Sequence, residues 1–259
     1  MKFHLGLAML LSMCVVDLHA STVLYVQTFE NPTGFVNDGG DVNIFRSVNQ
    51  LYGNQPAGFT FAQQNTVETL RVGGSQAWGT GFLDPQGVAG NYALGMLGSW
   101  ENDLLGLSFD LGPYRYLNFR LDISSIDLDR WGGPYVPLAG EQPTFRFTLF
   151  DNPSGATGLG SGAILSTIDV TGTASPRNTF DWTNSVVGLD AAGSTNGKVT
   201  LRIDLITGGY AAMDNFVIAA SDRIGDVPTV PEPSAWISLA TGLAVAARFR
   251  IARKWKRSA

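Results

Sequence analysis

Apolar and polar residues alternate in short runs along most of the chain, and turn-forming residues separate the runs. In residues 117–123, Leu, Phe, Leu and Ile occupy the odd positions, whereas Asn, Arg and Asp occupy the even ones. This period of two is typical of strands that bury one face and expose the other. Residues 144–150 and 199–205 repeat it. The pattern therefore predicts a β protein rather than a helical one.

Ten segments have the composition and length of strands, with Gly, Pro, Asn or Asp between them. Few of the remaining stretches could supply the crossover helices that a parallel sheet needs. We therefore predict an all-β fold, a two-sheet antiparallel β-sandwich. The predicted strands are residues 22–29, 41–48, 66–72, 92–97, 104–111, 116–123, 144–150, 163–170, 198–206 and 211–219.

The first 20 residues depart from the strand pattern. Lys2 precedes an apolar run from Leu5 to Val16, and the small residue Ala20 follows. This order predicts a secretory signal peptide over residues 1–20, cleaved after Ala20. An uncleaved membrane anchor is the alternative, although the run is shorter than the roughly 20 residues of an ordinary transmembrane helix.

All Cys and His residues of the chain lie in this leader: His4, Cys14 and His19. Cleavage would leave a chain that contains neither residue type. Disulfides, Cys/His zinc sites, thiol nucleophiles and Ser-His-Asp relays are then excluded.

The C-terminal segment, residues 231–259, has three parts in a fixed order. An apolar stretch over 236–247 follows a short motif and precedes six Lys or Arg residues. The motif consists of Pro231, Glu232, Pro233 and Ser234. Two prolines in three residues keep it extended. The apolar stretch is predicted to enter the membrane as a C-terminal helix, while the six cations stay on the cytoplasmic side. A surface amphipathic helix is the alternative for the apolar stretch.

This three-part tail resembles the PEP-CTERM sorting signal of Gram-negative bacteria. The resemblance implies that the inner membrane holds the tail transiently, that an exosortase cleaves near the motif, and that the protein reaches the cell surface or an exopolysaccharide matrix. The tail would specify where the protein is transported and does not specify a biochemical activity. The implied organisation is a sandwich domain over 21–221, a polar linker over 222–230 and the sorting signal over 231–259.

Charge is divided unevenly between these regions. Residues 21–230 contain 20 acidic and 10 basic residues, whereas the tail contains six basic residues and one acidic residue. A body with a net charge of about −10 makes nucleic acid an improbable partner.

The first and last predicted strands resemble those of jelly-roll carbohydrate-binding modules, through Phe29-Glu30-Asn31 and Met213-Asp214-Asn215. The resemblance implies that these strands are neighbours and share a structural calcium ion. Glu30 and Asp214 would be ligands, and Asp41 or Asp38 a third. Oxygen donors of this kind suit calcium and need no His or Cys. The alternative is that Asp214 and Asn215 only end a turn.

Aromatic residues near glycine-rich turns suggest that the body binds extracellular polysaccharide. Trp131 and Tyr135, in a predicted loop, are the candidate sugar-stacking residues. Large aromatic residues also fill sandwich cores, and this is the interpretation for Trp100 and Trp182.

Paired carboxylates raise a second functional hypothesis, a carbohydrate-active hydrolase. Asp122, Asp127 and Asp129 follow one strand, and Glu101 and Asp103 precede another. An acidic body contains close pairs by chance, so we favour a non-catalytic exported protein of the cell surface or extracellular matrix.

Overall fold

The computed structural model describes residues 21–53, 61–64, 67–98, 103–128 and 140–229. These residues form two antiparallel β-sheets, one with seven strands and one with five. The predicted all-β, two-sheet fold class is therefore confirmed. The predicted signal peptide and C-terminal helix lie outside the described residues.

Sheet A has the strand order β10-β7-β12-β5-β4-β2, and β1 also pairs with β12. Along one side of β12, the first half of the strand pairs with β5 and the second half with β1. Strand β7 pairs along the other side of β12. The chain's first and last strands are thus neighbours, as the family resemblance implied. The strands of sheet A are β1 (Thr22–Gln27), β2 (Val42–Asn43), β4 (Val67–Arg71), β5 (Tyr92–Leu97), β7 (Tyr116–Ser125), β10 (Thr183–Asp190) and β12 (Tyr210–Ser221).

Sheet B has the order β3-β6-β11-β8-β9. Successive strands from β5 to β8 alternate between the two sheets, as do those from β9 to β12, which is how a jelly roll closes its layers. Gly208 and Gly209, both with positive φ, form the turn between β11 and β12. The strands of sheet B are β3 (Phe61–Gln64), β6 (Leu104–Asp110), β8 (Thr144–Asp151), β9 (Ile164–Thr171) and β11 (Lys198–Thr207).

The main core fills the space between the sheets with the inward residues of the alternating strands. Phe119 of β7 makes edge-to-face contacts with Phe147 of β8 and Phe216 of β12. Such contacts add to the hydrophobic free energy of burying the rings. The core thereby fixes which face of each strand points inward, because a one-residue slip would expose that whole set.

A second apolar cluster lies on the outer face of sheet A, away from sheet B. The connection between β4 and β5 covers this face and contains a short 3-10 helix, Ala77–Gly79. Phe82 in the connection stacks on Phe180, with ring centroids 5.8 Å apart and planes 13° apart. Trp182 is buried in the same cluster, as expected for a core aromatic residue. The central strands of sheet A are therefore buried on both faces.

Three local predictions differ from the structure. Residues 41–48 do not form one strand, because after β2 Ser47 caps a four-residue helix, α1 (Val48–Leu51), and Gln50 completes the capping box. Strands β3 and β10 were not predicted. The first half of β10, Thr183-Asn184-Ser185, is mostly polar because the strand lies at the edge of sheet A.

The segment after β12 is in contact with the sandwich, although the sequence predicts a linker there. Gly225 N–H donates to Asn118 Oδ1 over 2.7 Å, and Ser221 Oγ donates to Asp226 over 2.8 Å. In the part of the chain that the structure describes, no helix is long and apolar enough to cross a membrane.

Candidate functional site

A cavity of 620 Å³ opens on the outer face of sheet A, beside the second apolar cluster. Strands β2, β4, β5 and β12 contribute its floor, and the β4–β5 connection contributes a wall. Its described lining is mainly apolar, with a few polar groups. The lining residues are Gly39, Gly40, Val42, Ile44, Glu68, Gln76, Phe82, Leu97, Leu128 and Tyr210.

A hydrogen-bonded pair provides the main polar feature of this cavity. Tyr210 Oη donates to Glu68 Oε2. Glu68 is 6% exposed and Tyr210 is 4% exposed, so both are almost withdrawn from water. Burial, with the carboxylates of Glu68 and Asp103, raises the pKa of Tyr210 well above its usual value. Tyr210 therefore stays protonated at neutral pH and remains a donor to the carboxylate.

A glycine makes this pair possible. Gly95 of β5 pairs with Glu68 of β4 on one side and with Ala212 of β12 on the other. The side chain of Tyr210 on β12 must therefore pass over Gly95 to reach Glu68. A Cβ atom at Gly95 would lie 2.9 Å from Tyr210 Oη and 3.1 Å from the ring. Only a residue without a side chain allows this close approach.

Asp41 positions the wall of the cavity. Its buried carboxylate accepts hydrogen bonds from the backbone N–H groups of Gln76 and Ala77 over 2.6 and 2.9 Å. Arg71 Nε lies 3.9 Å from the other carboxylate oxygen. The sequence-based prediction made Asp41 a calcium ligand, but these contacts engage it with the β4–β5 connection. Among the described residues, no contact joins Asp41 to Glu30 or Asp214.

A separate acidic site lies at the bulge of β12. Asp214 is fully buried, and its Oδ2 atom has no hydrogen-bond partner in the described structure. Burial, together with the nearby carboxylates of Glu30, Asp122 and Asp84, raises the pKa of Asp214 to about 9. Without a bound cation, Asp214 therefore keeps its proton at neutral pH, because its ionised form would be desolvated and would lie near other carboxylates.

The backbone has unusual conformations beside both Asp214 and Glu30. The register of β12 shifts between Asp214 and Val217, and Asn215 has a φ of 53°. Phe29, just before Glu30, has a φ of 56°. Such left-handed conformations are uncommon for residues other than glycine. Glu30 itself accepts hydrogen bonds from the backbone N–H and the side-chain amide of Asn91.

No group of three or more His, Cys, Asp or Glu side chains forms a metal-binding cluster among the described residues. The Glu30 and Asp214 pair would therefore need oxygen atoms from other groups to complete a calcium shell. The predicted glycan-binding residues Trp131 and Tyr135 lie outside the described residues, as does the motif of Pro231, Glu232, Pro233 and Ser234.

Of the acidic residues suggested for hydrolysis, Asp122 is engaged through its carboxylate and Asp127 through its backbone. Asp122 accepts hydrogen bonds from the amides of Asn184 and Asn215 over 2.7 and 2.9 Å. The backbone carbonyl of Asp127 accepts from Asn178 N–H. Glu101 and Asp129 lie outside the described residues. Glu68 is the only carboxylate that lines the cavity in the described part of the chain.

The sequence interpretation missed Glu68 as a site residue. The sequence does contain an indication that β4 is buried on both faces. Apolar residues occur on both faces of sheet A, at Val67 and Leu70 and in the Ala-rich run of β12. A charged residue in such a strand is buried and needs a partner. The partner, Tyr210, is 142 positions away, so only the tertiary structure identifies it.

No protein-family model matches the chain, and no curated protein matches it. Solved structures with a similar fold include the K3 cleaved adhesin domain of Lys-gingipain from Porphyromonas gingivalis W83. It has 14% identity and a TM-score of 0.39, and the match covers 77% of this chain and 99% of that chain.

A xylan-binding domain from CBM 22 matches with 14% identity and a TM-score of 0.38, over 77% of this chain and 96% of that chain. TmCBM61, solved in complex with β-1,4-galactotriose, matches with 13% identity and a TM-score of 0.33, over 73% and 97%. At identities and TM-scores this low, the likeness assigns no ligand to this chain.

Proposed function

We propose that this protein is a non-catalytic, polysaccharide-binding β-sandwich of the cell surface or extracellular matrix, and that the cavity on sheet A is its glycan site. The observation that carries the proposal is the combination of apolar walls with the buried Glu68 and Tyr210 pair. Ligand sites are typically concave and mainly apolar, with a few placed polar groups that fix orientation.

The chemistry of a sugar ring matches this lining. The C–H face of a pyranose can pack against the half-buried side chains of Leu97 and Ile44, while its hydroxyl groups bond to polar atoms. Glu68 supplies acceptor oxygens, and the side chain of Gln76 supplies both a donor and an acceptor. The backbone at Gly39 can approach the ligand closely, since no atom lies within 4 Å of the position that its Cβ would occupy.

A glycan array with the full-length protein tests the proposal. We expect binding that is lost in Ile44→Trp, because the indole would fill part of the cavity from a half-buried position. Ile164→Trp is the matched control, since Ile164 is 63% exposed on β9 of the other sheet. Absence of binding to every glycan, or equal loss in both variants, would contradict the proposal.

Trp131 and Tyr135 remain part of this proposal as sugar-stacking residues. Trp131→Ala on the same array is expected to weaken binding by about tenfold, since stacked aromatic rings contribute on the order of 1 kcal/mol or more. Unchanged binding would remove Trp131 from the site and leave the cavity proposal in place.

We propose in addition that Glu30 and Asp214 hold a structural calcium ion, with backbone and amide oxygens as further ligands. The buried, unpaired Oδ2 atom of Asp214 supports this fit. The ion would neutralise the repulsion among the local carboxylates and join the segment that follows β1 to the bulge of β12.

Thermal unfolding tests the calcium proposal. Excess calcium is expected to raise Tm because the ion binds only the folded protein. Asp214→Asn should abolish the increase, while Asp110→Asn, an exposed control on β6, should keep it. A melting curve that is identical in EDTA and in calcium would overturn the metal site.

The competing hydrolase function requires two suitably separated carboxylates, and one carboxylate lines the described cavity. A reducing-end assay on matrix polysaccharide separates the two functions. We expect no turnover by the full-length protein. Turnover that disappears in Glu68→Gln, or in Asp127→Asn combined with Asp129→Asn, while folding is retained would establish an enzyme.

For localisation, we propose export by the N-terminal signal and sorting by an exosortase at Pro231-Glu232-Pro233. The order of motif, apolar stretch and basic residues in the sequence supports this proposal. The inner membrane would hold the tail transiently through residues 236–247, and the sorted body would then meet extracellular polysaccharide.

A further inference from the structure

The β4–β5 connection covers only one half of the outer face of sheet A, the half that carries the cavity. On the other half, strands β10, β7, β12 and β1 align their outward residues in two rows, and this surface is termed the exit face. The residues between these outward positions belong to the main core. The rows are Val186, Arg120, Val217 and Val26, and Gly188, Asn118, Ala219 and Val23.

Branched apolar side chains remain exposed on the exit face. Ile224, in the segment after β12, lies directly over Gly188, which has no side chain to obstruct it. Arg120 is the only charged residue in the two rows. A contiguous apolar surface of this kind is typical of an interaction site. Four of its side chains are between 41% and 67% exposed: Val23, Val26, Val186 and Ile224.

The chain's own tail is tethered beside the exit face. Asp226 accepts a hydrogen bond from Ser221 Oγ at the end of β12. Trp236, the first residue of the apolar stretch 236–247, follows ten residues later. An extended connection of that length reaches up to about 35 Å, whereas four neighbouring strands span only about 15 Å. The apolar stretch can therefore reach every part of the exit face.

The apolar stretch also has the pattern of a helix with one apolar side. With a period of 3.6 residues, Trp236, Leu239 and Leu243 fall on one side, and Ser238 and Thr241 fall on the opposite side. A helix of this kind needs an apolar surface to cover its Trp and Leu side chains, and a sheet face provides one. Twelve helical residues are about 18 Å long, which is close to the width of the exit face.

Charge and tethering both favour the tail over a second copy of the chain. Residues 21–230 contain ten more acidic than basic residues, whereas residues 231–259 contain five more basic than acidic residues. The body therefore attracts the tail and repels the equally acidic body of a second copy. The tether also holds the tail at a local concentration of about 1 mM, above that of a second copy in dilute solution.

We propose that the apolar stretch 236–247 docks on the exit face when the tail is in water, with its Trp and Leu side chains directed towards Val186 and Ile224. This inference goes beyond the proposed function and does not depend on glycan binding. Docking shields the apolar stretch from other chains. The tail must leave the exit face before a membrane can take it up, so the folded body controls when the tail becomes available.

Disulfide cross-linking in the full-length chain tests the proposal. Cys14 is the only cysteine, so Cys14→Ser gives a background without thiols. In dilute protein without detergent, Ile224→Cys combined with Leu243→Cys should form an intramolecular disulfide at least about tenfold faster than Ile164→Cys combined with Leu243→Cys. Ile164 is the matched control, because it is 63% exposed on sheet B. Equal rates for the two pairs, or no disulfide in either, overturn the proposal.

A vesicle assay and a dimer assay separate the other occupants. Ile224→Asp should increase binding of the full chain to vesicles of phosphatidylethanolamine and phosphatidylglycerol by about fivefold, because weaker docking releases the tail. Ile164→Asp should leave this binding unchanged. Unchanged binding of Ile224→Asp shows that the exit face does not hold the tail, and weaker binding shows that it contacts lipid itself. Covalent dimers that form faster with Ile224→Cys than with Ile164→Cys assign the exit face to a second copy. Each of these three results overturns the proposal.

Discussion

At the scale of single residues, two buried acids have opposite surroundings. Glu68 is bonded to Tyr210, which stays a donor because its pKa is raised by burial. Asp214 has a buried oxygen atom without a partner and lies near other carboxylates. The first arrangement presents a carboxylate to a cavity. The second arrangement gains from a bound cation.

The raised pKa of Asp214 predicts the pH dependence of stability without metal. Between its usual pKa of 3.8 and about 9, the folded chain retains a proton that the unfolded chain releases. The stabilising contribution is therefore complete below pH 3.8 and is lost as the pH rises towards 9, by at most about 1.4 kcal/mol per pH unit. Denaturant unfolding in EDTA should show this decline, and Asp214→Asn should flatten it. A decline of the same slope in the variant contradicts the assignment to Asp214.

Gly95 is predicted to be intolerant of substitution. In Gly95→Ala, the new Cβ atom would force the Tyr210 ring away from Glu68, and such overpacking costs about 1–3 kcal/mol of stability. Urea unfolding measures the cost. Gly158→Ala is the control, because no atom lies within 4 Å of that Cβ position. Equal stability of the two variants contradicts the proposed crossing of the ring.

At the scale of elements, the β4–β5 connection covers the outer face of sheet A, so the sheet is buried on this face as well as on the face towards sheet B. The strand pattern predicts β5 with the observed bounds and most other strands to within one or two residues, because alternation depends only on local geometry. The same pattern fails at residues 41–48, where capping by Ser47 and Gln50 produces a helix turn. The glycine-rich loop at residues 155–162 packs over sheet B, where Ala156 O accepts from Ser108 Oγ.

Asp41 is predicted to hold the connection in place. Asp41→Ala removes the carboxylate oxygen that accepts from the backbone N–H groups of Gln76 and Ala77, and it should cost about 1–3 kcal/mol, with faster hydrogen exchange at both N–H groups. Asp38→Ala is a matched control, because that side chain also accepts two backbone N–H bonds but is exposed. Exchange that accelerates equally in both variants would falsify a special role for Asp41.

At the scale of the whole molecule, the sandwich is an acidic body between two terminal segments with different compositions. The described chain continues beyond β12 along the outer face of sheet A, where residues 221–226 contact one another and Asn118. The predicted linker is thus anchored to the body at its start. The sorting motif follows only a few residues after these contacts.

Replacement of Pro231, Glu232 and Pro233 by Ala is predicted to block sorting. Without the prolines the motif can join a helix over the following apolar stretch, if the tail forms the helix that the sequence predicts, and this removes the extended segment that a protease needs. Fractionation of cells should then find precursor in the membrane and little protein outside. Pro228→Ala, which leaves the motif intact, is the control. Normal release of the triple variant would refute the sorting signal.

The sequence alone determined the class of the fold and the places of most strands, and it places every Cys and His of the chain within the first 20 residues. These features depend on local periodicity and on composition, which a linear chain displays directly. Only the tertiary structure decided that Glu68 meets Tyr210 across Gly95, and that Asp41 supports a wall. The physical reason is that these contacts join residues far apart in the chain, through strand register and burial on both faces of sheet A.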